Sequence, residues 1–491
     1  MTFKLRYKLT WFCAGLAILL SILSCSSEEP EKYEPPKKQE ELGKARLFLT
    51  TGDQGKLLSE EPQLTITKLD NSAFPTIQLF PAEKLQQMEG FGAALTGSSA
   101  YLIHQKLNHS QRERLLRELF SVENGIGLSY LRLTIGASDF SLSNYTYNDL
   151  PKGETDYDLD RFSIAKDKQD LVPVLKEILG INQNIRIMGS PWSPPAWMKT
   201  NESLMAGELK KEAYGVYAKY FVGYIQALRE EGIGIAAITI QNEPLHATAN
   251  YPSMYMSSAD QSMFIRDHLG PAFAANNIDA DIVVYDHNWD NTAYPMDILN
   301  DPATKEYVAG TAFHGYGGDV NAMSQVHNAH PDKGIYFTEI SGGEWATNFS
   351  DNLQWNMRHV FIGTTKNWSK NVLLWNLALD ERYGPTNNGC QDCRGVVTVN
   401  SQTGEVSRNV EYYSLAHFSK FIPSGSHRIG SQSSGNTGGV DFVAFLTPEG
   451  ERVLVMSNDN SESRELKIVE GERQLIYSLP GKSVTTIVWE D

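Results

Sequence analysis

The sequence predicts an α/β protein in which a (β/α)8 TIM barrel carries an attached antiparallel β-sandwich. Between Glu89 and about Leu379, eight strand-like segments alternate with helix-like segments. A run of βα units implies a parallel sheet, and eight strands are the number that closes such a barrel. Short alternating stretches without helices flank this region on both sides, which is the pattern of an all-β domain.

The barrel region shows the two periodicities that a βα repeat requires. The strand-like segments are EGFGAAL, LSYLRLTIG, IRIMGS, IAAITIQ, DIVVYD, GTAFHG, GIYFTE and NVLLWNLAL. One connection, KKEAYGVYAKYFVGYIQALREEG, places apolar residues three and four apart up to Leu228 and ends at Gly232, as an amphipathic helix does. We therefore assign residues 83–422 to the barrel.

The sandwich is predicted from both ends of the chain. From about His427 the segments VDFVAFLT, RVLVMSN, RELKIVE, RQLIYSL and SVTTIVW are separated by turn residues. We assign residues 423–491 to this domain. The N-terminal stretches RLFLTT, QLTITK and TIQLF, within residues 45–82, are too few to stand alone, so we expect them to join the C-terminal strands.

Residues 1–25 are predicted to be a lipoprotein signal peptide. Basic residues precede an apolar run from Leu9 to Ile22, in the order and length of a signal peptide, and the run is short for a transmembrane helix. The run is followed by ILSC, which resembles a bacterial lipobox whose cysteine, Cys25, is lipidated and becomes the first mature residue. An ordinary signal peptide with an incidental cysteine is the alternative.

Residues 26–44 are predicted to be a disordered tether. They are polar, charged and proline-containing, and so cannot bury apolar area. The acidic residues soon after Cys25 resemble the surface-export signal of Bacteroidetes lipoproteins. These features predict an exported protein, lipid-anchored to the outer membrane, and leave both a periplasmic and a cell-surface location open.

The composition limits the classes of partner that the protein is expected to bind. The formal net charge of −16 argues against nucleic acid, which requires clustered Lys and Arg. Aromatic residues make up 10% of the chain, which suits sugar binding as well as a large core. Because HExxH and comparable ligand clusters do not appear in the sequence, a metal-dependent hydrolase is disfavoured and we expect no metal or cofactor.

The motif NNGCQDCRG contains Cys390 and Cys393 in a Cys-x-x-Cys spacing. A zinc site needs further ligands, and none are placed nearby. A thioredoxin-like motif would begin a helix rather than lie in an Asn/Gly-rich loop. In an exported protein we therefore favour a local disulfide over two free thiols.

The strand ends supply two glutamates. Catalytic groups of a (β/α)8 barrel lie at the C-terminal ends of its strands. Strand four is predicted to end in Asn242-Glu243 and strand seven in Thr338-Glu339. The other candidates at this rim are Arg132, Asp139, Trp192, His314, Tyr316 and Trp375. Two carboxyl groups among aromatic, amide and basic side chains are the equipment of a glycosidase, which needs one protonated acid and one ionised carboxylate.

Six motifs carry a resemblance to a known family. QNEP, FTEISGG, EGFGAALT, LRLTIGASDFSLSNYTYND, SPWSPPAWMKTN and WNLALD resemble glycoside hydrolase family 30, which contains lysosomal glucosylceramidase and β-1,6-glucanases. They occur in the family's order between about Glu89 and Val397. The resemblance implies a retaining enzyme with a (β/α)8 barrel and an attached β-sandwich.

The resemblance also implies roles. Glu243 matches the acid/base, Glu339 the nucleophile, and Asn242 the amide that holds the sugar 2-hydroxyl. Residues matching the glycone subsite or its border are Arg132, Trp192, Tyr316, Trp375 and His314, and Asp139 is a further predicted substrate ligand. The implied mechanism is double displacement, with the two carboxyl groups about 5 Å apart.

Several alternatives stay open at this stage. Glu344, in a Gly-rich loop beyond Glu339, is a rival nucleophile. Trp192 and Trp375 also fit rim packing, and His314 also fits a structural histidine. Two further residues after strand five, Asp286 and Asn288, stand at a position from which they could reach the substrate.

The predicted substrate is β-1,6-glucan. Glucosylceramidase has an aspartate where this chain has Gly97, and losing that carboxylate is expected to open the pocket; CRGVVTVN also resembles the β-1,6-glucanase branch. The alternatives are a glucosylceramidase or exo-β-glucosidase and a β-xylosidase of the same family. A non-catalytic glycan-binding lipoprotein would explain the anchor and the aromatics but not the two rim glutamates.

Overall fold

The structure is a computed structural model, and it describes residues 40–490. The predicted signal peptide, Cys25 and most of the predicted tether lie outside the described residues. Within residues 40–490, no helix is long and apolar enough to cross a membrane.

The described chain begins with three strands, β1 (Glu41–Thr51), β2 (Ser59–Lys68) and β3 (Thr76–Gln87). β1 pairs with β2 in antiparallel fashion from Glu41 opposite Thr67 onwards. The predicted tether boundary at residue 44 was therefore wrong, because these polar residues gain a ladder of backbone hydrogen bonds from β2. The barrel boundary at residue 83 was also too early, since β3 continues to Gln87.

Eight parallel strands form the barrel. They are β4 (Gly90–Ala94), β5 (Tyr130–Ile135), β6 (Arg186–Pro191), β7 (Ala237–Thr239), β8 (Asp281–Asn288), β9 (Val308–His314), β10 (Gly334–Glu339) and, after the two-residue strand β11 (Gly342–Gly343), β12 (Asn371–Asn376). The hydrogen-bonded order is β10-β9-β8-β7-β6-β5-β4-β12. Beside β10, the Lys370 N–H donates to the Ile335 carbonyl at 2.8 Å, so the ends of the sheet meet. Each of the eight strands overlaps a segment predicted from the sequence.

Helices connect the strands. They are Gly97–Tyr101, His109–Phe120, Leu171–Ile181, Tyr214–Glu230, Ser258–Phe264, Gly270–Ala275, Ala293–Leu299, Pro302–Lys305, Asn321–Ala329, Phe349–Trp355, Ile362–Lys366 and Val410–Ser419. Three π-helical turns, Leu102–Lys106, Ile265–Leu269 and Asn356–Phe361, continue the helices before them. The amphipathic helix predicted from sequence is Tyr214–Glu230, and its face with Tyr217, Phe221 and Leu228 is buried.

The remaining strands form two small sheets and then the second domain. They are β13 (Ala378–Asp380), β14 (Cys393–Arg394), β15 (Val397–Val399), β16 (Val406–Arg408), β17 (His427–Ser434), β18 (Val440–Leu446), β19 (Arg452–Asn458), β20 (Arg464–Glu470), β21 (Arg473–Leu479) and β22 (Ser483–Trp489). The small sheets are β11 with β14, and β13 with β15 and β16. Nine strands are hydrogen-bonded in the closed order β1-β2-β21-β20-β3-β17-β18-β19-β22. The N-terminal strands thus join the C-terminal domain as predicted. Its pairs are antiparallel except β3 with β20, which is parallel.

An apolar layer fills the middle of the barrel. Seven strands contribute one buried side chain each: Tyr130, Met188, Ala237, Val283, Ala312, Tyr336 and Leu373. β4 contributes Gly92 instead, where an added Cβ would lie 1.8 Å from the carbonyl oxygen of Tyr130. The polar residues of the rim lie directly above this layer, towards the C-terminal ends of the strands.

Candidate active site

The next layer of the barrel interior is polar. Because strand side chains alternate between the two faces, the residue two positions after a member of the apolar layer also faces inward. Tyr130 is thus followed by Arg132, and Ala312 by His314. Ser190, Thr239, Thr338 and Trp375 follow Met188, Ala237, Tyr336 and Leu373 in the same way. All of these polar-layer side chains are buried.

Strand β8 departs from this alternation. Its register against β9 shifts between Tyr285 and His287, where Tyr285 and Asp286 have φ values of 74° and 61°. This bulge makes Asp286, rather than Tyr285, contact the polar layer, and bulges beside active sites commonly redirect a side chain in this way.

Asp286 is the charge centre of the polar layer. It is fully buried. Its hydrogen-bond partners, at 2.7–3.0 Å, are Arg132, Ser190 and Thr239 on Oδ2 and Thr338 and His314 on Oδ1. Burial raises the pKa of this carboxyl, but the charges of Arg132 and His314 outweigh burial and hold the pKa well below its usual range. Asp286 is therefore an ionised acceptor for both cations.

Glu339 lies at the end of β10 and receives two donors. The Arg132 guanidinium donates from Nη1 to Oε2 at 2.5 Å, and the Tyr316 hydroxyl donates to Oε1 at 3.0 Å. The same guanidinium donates from Nη2 to Asp286, so one buried cation bridges two carboxylates. Glu339 is 6% exposed. These contacts fix the carboxylate in one orientation.

Glu243 lies in the loop after β7. The sequence placed it at the end of strand four, but β7 ends at Thr239 and the chain continues without ladder pairing. Glu243 has a φ of 46°, in the left-handed region, and its N–H donates to the Asp286 carbonyl at 3.0 Å. Such a conformation is costly for a non-glycine residue and persists where the surroundings enforce it.

Glu243 and Glu339 approach each other across the polar layer. One oxygen from each glutamate and one ring nitrogen of His314 lie within 4.8 Å of one another. Retaining glycosidases hold their carboxyl groups about 5–5.5 Å apart, whereas inverting enzymes leave about 6.5–9.5 Å for a water molecule. The spacing therefore fits retention.

His314 connects the two halves of the site. Its Nδ1 lies 3.0 Å from Glu243 Oε1, and its Nε2 lies 3.0 Å from Asp286 Oδ1. Burial lowers the pKa of His314, but the charge of Glu339 and the hydrogen bond with Asp286 outweigh burial and raise the pKa to about 9. At neutral pH the ring is therefore charged and donates to both of its neighbours.

The charge of His314 affects the pKa values of both glutamates. Burial raises the pKa of Glu243, but the hydrogen bond and charge of His314 more than offset it, so the pKa is lowered. Burial raises the pKa of Glu339, and the charge of Glu243 raises it further against the opposing cations. The hydrogen bond between His314 and Glu243 thus holds one proton next to the carboxylate of Glu243.

Three predicted sugar ligands contact Arg132 or each other. Asn242 Oδ1 accepts a hydrogen bond from Arg132 Nη2 at 2.8 Å. The indoles of Trp192 and Trp375 stack with a centroid distance of 5.1 Å and an interplanar angle of 18°, and the guanidinium lies 5.0 Å and 5.5 Å from their centroids. Both indoles are buried. They are positioned to hold Arg132, and their contact with a sugar stays a prediction.

Asp139 and Tyr316 complete the set. Burial raises the pKa of Asp139 well above its usual range, and the charges of Glu339 and Glu243 raise it further, which places this carboxyl in the electrostatic field of both glutamates. Tyr316 follows β9 and is 46% exposed. Its N–H donates to Asn288 Oδ1 at 3.2 Å, so Asn288 acts by orienting Tyr316.

The rival nucleophile Glu344 is exposed and lies 3.7 Å from Arg394, on the loop after β11. Gly97 begins a helix after Thr96 and lines a small cleft with Ser141 and Leu142. The expectation that Gly97 opens the carboxylate pocket stays a prediction.

Sequence reasoning left Asp286 undecided and missed Ser190, Thr239 and Thr338. For the three hydroxyl residues a signal was present, since each lies at the C-terminal end of a barrel strand, two positions after an apolar-layer residue. For Asp286 the alternation pointed to the wrong neighbour, because only the bulge brings it inward.

Family models match most of the described chain. The model for the glycosyl hydrolase family 30 TIM-barrel domain matches residues 88–422, and the model for the glycosyl hydrolase family 30 beta sandwich domain matches residues 425–487.

Individual relatives agree with these matches. The endo-1,6-beta-D-glucanase neg1 of Aspergillus fumigatus is 34% identical over 432 residues, which covers 82% of this chain and 85% of the relative. The lysosomal acid glucosylceramidase of Mus musculus is 29% identical and covers 84% and 83%. Among solved structures, the endo-beta1,6-glucanase BT3312 superposes with a TM-score of 0.85 at 37% identity, over 91% of this chain and 100% of that chain.

Proposed function

The chain belongs to glycosyl hydrolase family 30, and we propose that it is an endo-acting β-1,6-glucanase that retains the anomeric configuration. The chemistry is supported by one observation: an oxygen of Glu243 and an oxygen of Glu339 lie within 4.8 Å of each other, and Arg132 holds the Glu339 carboxylate. The choice of linkage is supported by the 34% and 37% identity to endo-1,6-β-glucanases.

In the first step, Glu339 attacks the anomeric carbon while the bond to the leaving oxygen breaks. Arg132 and Tyr316 hold the carboxylate in place for this attack. Because the pKa of Glu243 is lowered and that of His314 is raised, the proton is held on His314. It passes through the hydrogen bond from Nδ1 to Glu243 Oε1 as the Glu243 carboxyl protonates the leaving oxygen. The proton held by this pair is therefore delivered where negative charge develops, and the product is a glycosyl ester on Glu339.

In the second step, Glu243 acts as the base. It accepts a proton from a water molecule, whose oxygen attacks the anomeric carbon and breaks the ester to Glu339. Two inversions at the same carbon give net retention. Asn242 is fixed through its carbonyl oxygen to Arg132, so its amide nitrogen remains free to donate to the sugar 2-hydroxyl in both steps.

The test is purified enzyme on pustulan, β-1,3-glucan, glucosylceramide, an aryl β-glucoside and an aryl β-xyloside. We expect a ladder of β-1,6-linked oligosaccharides from pustulan. Glu339→Gln is expected to lose on the order of 10⁴-fold or more in kcat, and Glu243→Gln about 10²–10⁴-fold with an unactivated leaving group. Glu344→Gln, a matched carboxylate on the next loop, should retain activity within about twofold.

Two results would contradict the assignment. Activity on aryl β-glucosides or glucosylceramide without activity on pustulan would favour the glucosylceramidase-like alternative, which the 29% identity to the mouse enzyme keeps as the second candidate. Glycan binding without any hydrolysis by the wild-type protein would favour a glycan-binding lipoprotein.

We further propose that the protein is exported and anchored through a lipid on Cys25, as the sequence around ILSC supports. Replacing Cys25 with Ala should move the enzyme from the membrane fraction to the soluble fraction. Protease shaving of intact cells distinguishes the two faces: digestion indicates the cell surface, and full protection indicates the periplasm.

A further inference from the structure

An open cleft of about 470 Å³ lies next to Glu339, beside the ends of β9, β10 and β12. Tyr316 belongs to both sites, because its hydroxyl donates to Glu339 while the residue lines the cleft. The other lining residues are Gly315, Ile340, Ser341, Gly342, Trp345, Ala346, Asp351, Asn352, Trp355, Asn356, Leu374 and Glu411. A substrate that extends from Glu339 past Tyr316 would enter this cleft.

Two tryptophans line the cleft with exposed side chains. Trp345 is 57% exposed and Trp355 is 42% exposed, and with Tyr316 they place three exposed aromatic residues around one cleft. Concentrated exposed apolar area of this kind marks a binding surface more often than a solitary exposed residue does. The contrast with the buried pair Trp192 and Trp375 is direct.

A buried carboxylate lies among these aromatic residues. Glu411 is 4% exposed, and its Oε1 accepts a hydrogen bond from Arg394 Nη2 at 3.1 Å. Its Oε2 is buried and has no hydrogen-bond partner among the residues that the structure describes. A buried polar atom without a partner is costly, and it is a natural acceptor for a ligand hydroxyl.

We propose that this cleft is a second sugar subsite, which binds a further glucosyl unit of the chain being cut. A pyranose has an apolar C–H face, which suits an indole, and a rim of hydroxyls, which suits Glu411, Asp351 and Asn352. A hydrocarbon aglycone would leave those polar groups desolvated without partners. The inference rests on the proposed function and adds where the chain extends.

The disulfide loop holds this subsite in place. Gly343 pairs with Cys393 and Gly342 with Arg394, in a short antiparallel ladder beside the Cys390–Cys393 disulfide. The Arg394 guanidinium also donates to the carbonyl of Ala346 at 3.1 Å. Trp345 lies between these anchors, so the loop that carries it is fixed on both sides.

The indole of Trp345 also covers Gly343. A Cβ at Gly343 would lie 2.0 Å from the Trp345 ring. Gly343→Ala therefore displaces the ring without removing it, and provides a second route to the same loss.

The experiment compares chain lengths. Wild type and the variants Trp345→Ala, Trp345→Phe and Glu411→Gln are assayed on β-1,6-linked gluco-oligosaccharides of two to six units, on an aryl β-glucoside and on octyl β-glucoside. We expect Trp345→Ala to lower kcat/KM by about tenfold or more on the longest oligosaccharides and by less than about twofold on the aryl glucoside. Trp345→Phe should recover part of the loss. Glu411→Gln should also lower kcat/KM more on long oligosaccharides than on the aryl glucoside.

Controls separate the possible failures. Ile476→Ala removes an exposed apolar side chain from the sandwich and should match wild type on every substrate. Equal losses on all substrates, or no loss with Trp345→Ala, would overturn the subsite while leaving the glucanase assignment intact. A loss confined to octyl β-glucoside would assign the cleft to an apolar aglycone instead. Wild-type enzyme that fails on every β-1,6-linked chain would overturn the proposed function itself.

Discussion

The polar layer of the barrel and the aromatic cleft beside it are built on opposite principles. In the polar layer, Asp286 is completely buried and each of its oxygens has partners. In the cleft, Trp345 is mostly exposed, and one oxygen of Glu411 has no hydrogen-bond partner within residues 40–490. The two regions are joined through Tyr316.

The difference separates the reaction from the choice of substrate. Catalytic carboxylates act through fixed orientation and a preorganised field, which a network of buried hydrogen bonds such as the one around Asp286 supplies. Binding of a polymer requires open, adaptable contacts whose hydrogen bonds are completed by the ligand. Changes in the polar layer should therefore affect every substrate and the stability of the fold, and changes in the cleft only long substrates.

The largest effect is expected from Asp286→Asn, which removes the charge at the centre of the polar layer but keeps its shape. Arg132 and His314 would lose the carboxylate that both contact. Removing one partner of a buried ion pair costs about 3–5 kcal/mol. We expect that loss in the free energy of unfolding, measured by urea denaturation, together with a loss of activity on all substrates.

The matched control for this variant is Asp290→Asn. Asp290 lies four residues further on and is exposed, so its replacement should change the free energy of unfolding by less than about 0.5 kcal/mol. Equal and small effects of both variants would show that Asp286 does not carry the charge network, and the polar layer would then not differ from the cleft in this way.

The next effect concerns pH and His314. The pKa of His314 is raised to about 9 in the folded protein, against about 6.5 in an unfolded chain. Its charged form therefore stabilises the fold fully below about pH 6.5, and this contribution is lost as the pH rises through about 9. Because the same proton serves Glu243, we expect kcat/KM to fall along an alkaline limb near pH 9.

His314→Gln tests this assignment. The variant should lose the titration near pH 9 and about 1.5–3 kcal/mol in the free energy of unfolding at neutral pH, since a charged hydrogen bond is replaced by a neutral one. Stability and kcat/KM measured between pH 5 and 10 give both quantities. An unchanged alkaline limb in the variant would assign the titration to another group.

The sequence predicted the barrel, its strands and the two glutamates because each depends on local patterns. Eight apolar segments with helical connections imply the barrel, and the position of Glu339 after GIYFT follows from the strand end. Asp286 shows the limit of this reasoning. A period of two turns Tyr285 inward, and the bulge that reverses this is stabilised by contacts from four other strands.

The prediction of domain boundaries was limited for a similar reason. Residues 41–44 and 83–87 are polar in sequence and were assigned to a tether and to the barrel. Both segments become strand because partners from β2 and β17 complete their backbone hydrogen bonds. Pairing between segments distant in sequence cannot be read from the polarity of one of them.

The smallest effect is expected from Cys390→Ser combined with Cys393→Ser. The disulfide closes a loop of a few residues, so its loss should cost at most about 2 kcal/mol. Cys393 packs in one cluster with Trp192 and Trp375, and serine nearly keeps the size of cysteine there, so activity on an aryl β-glucoside should persist. The loop of Trp345 pairs with this segment, so kcat/KM on six-unit β-1,6-linked oligosaccharides should fall severalfold.

Treating wild type with a thiol reductant should reproduce that length-dependent loss, while the double variant should not respond. If reduction instead lowered activity on short and long substrates alike, the disulfide would support the catalytic layer, and the separation between reaction and selection would fail at this loop.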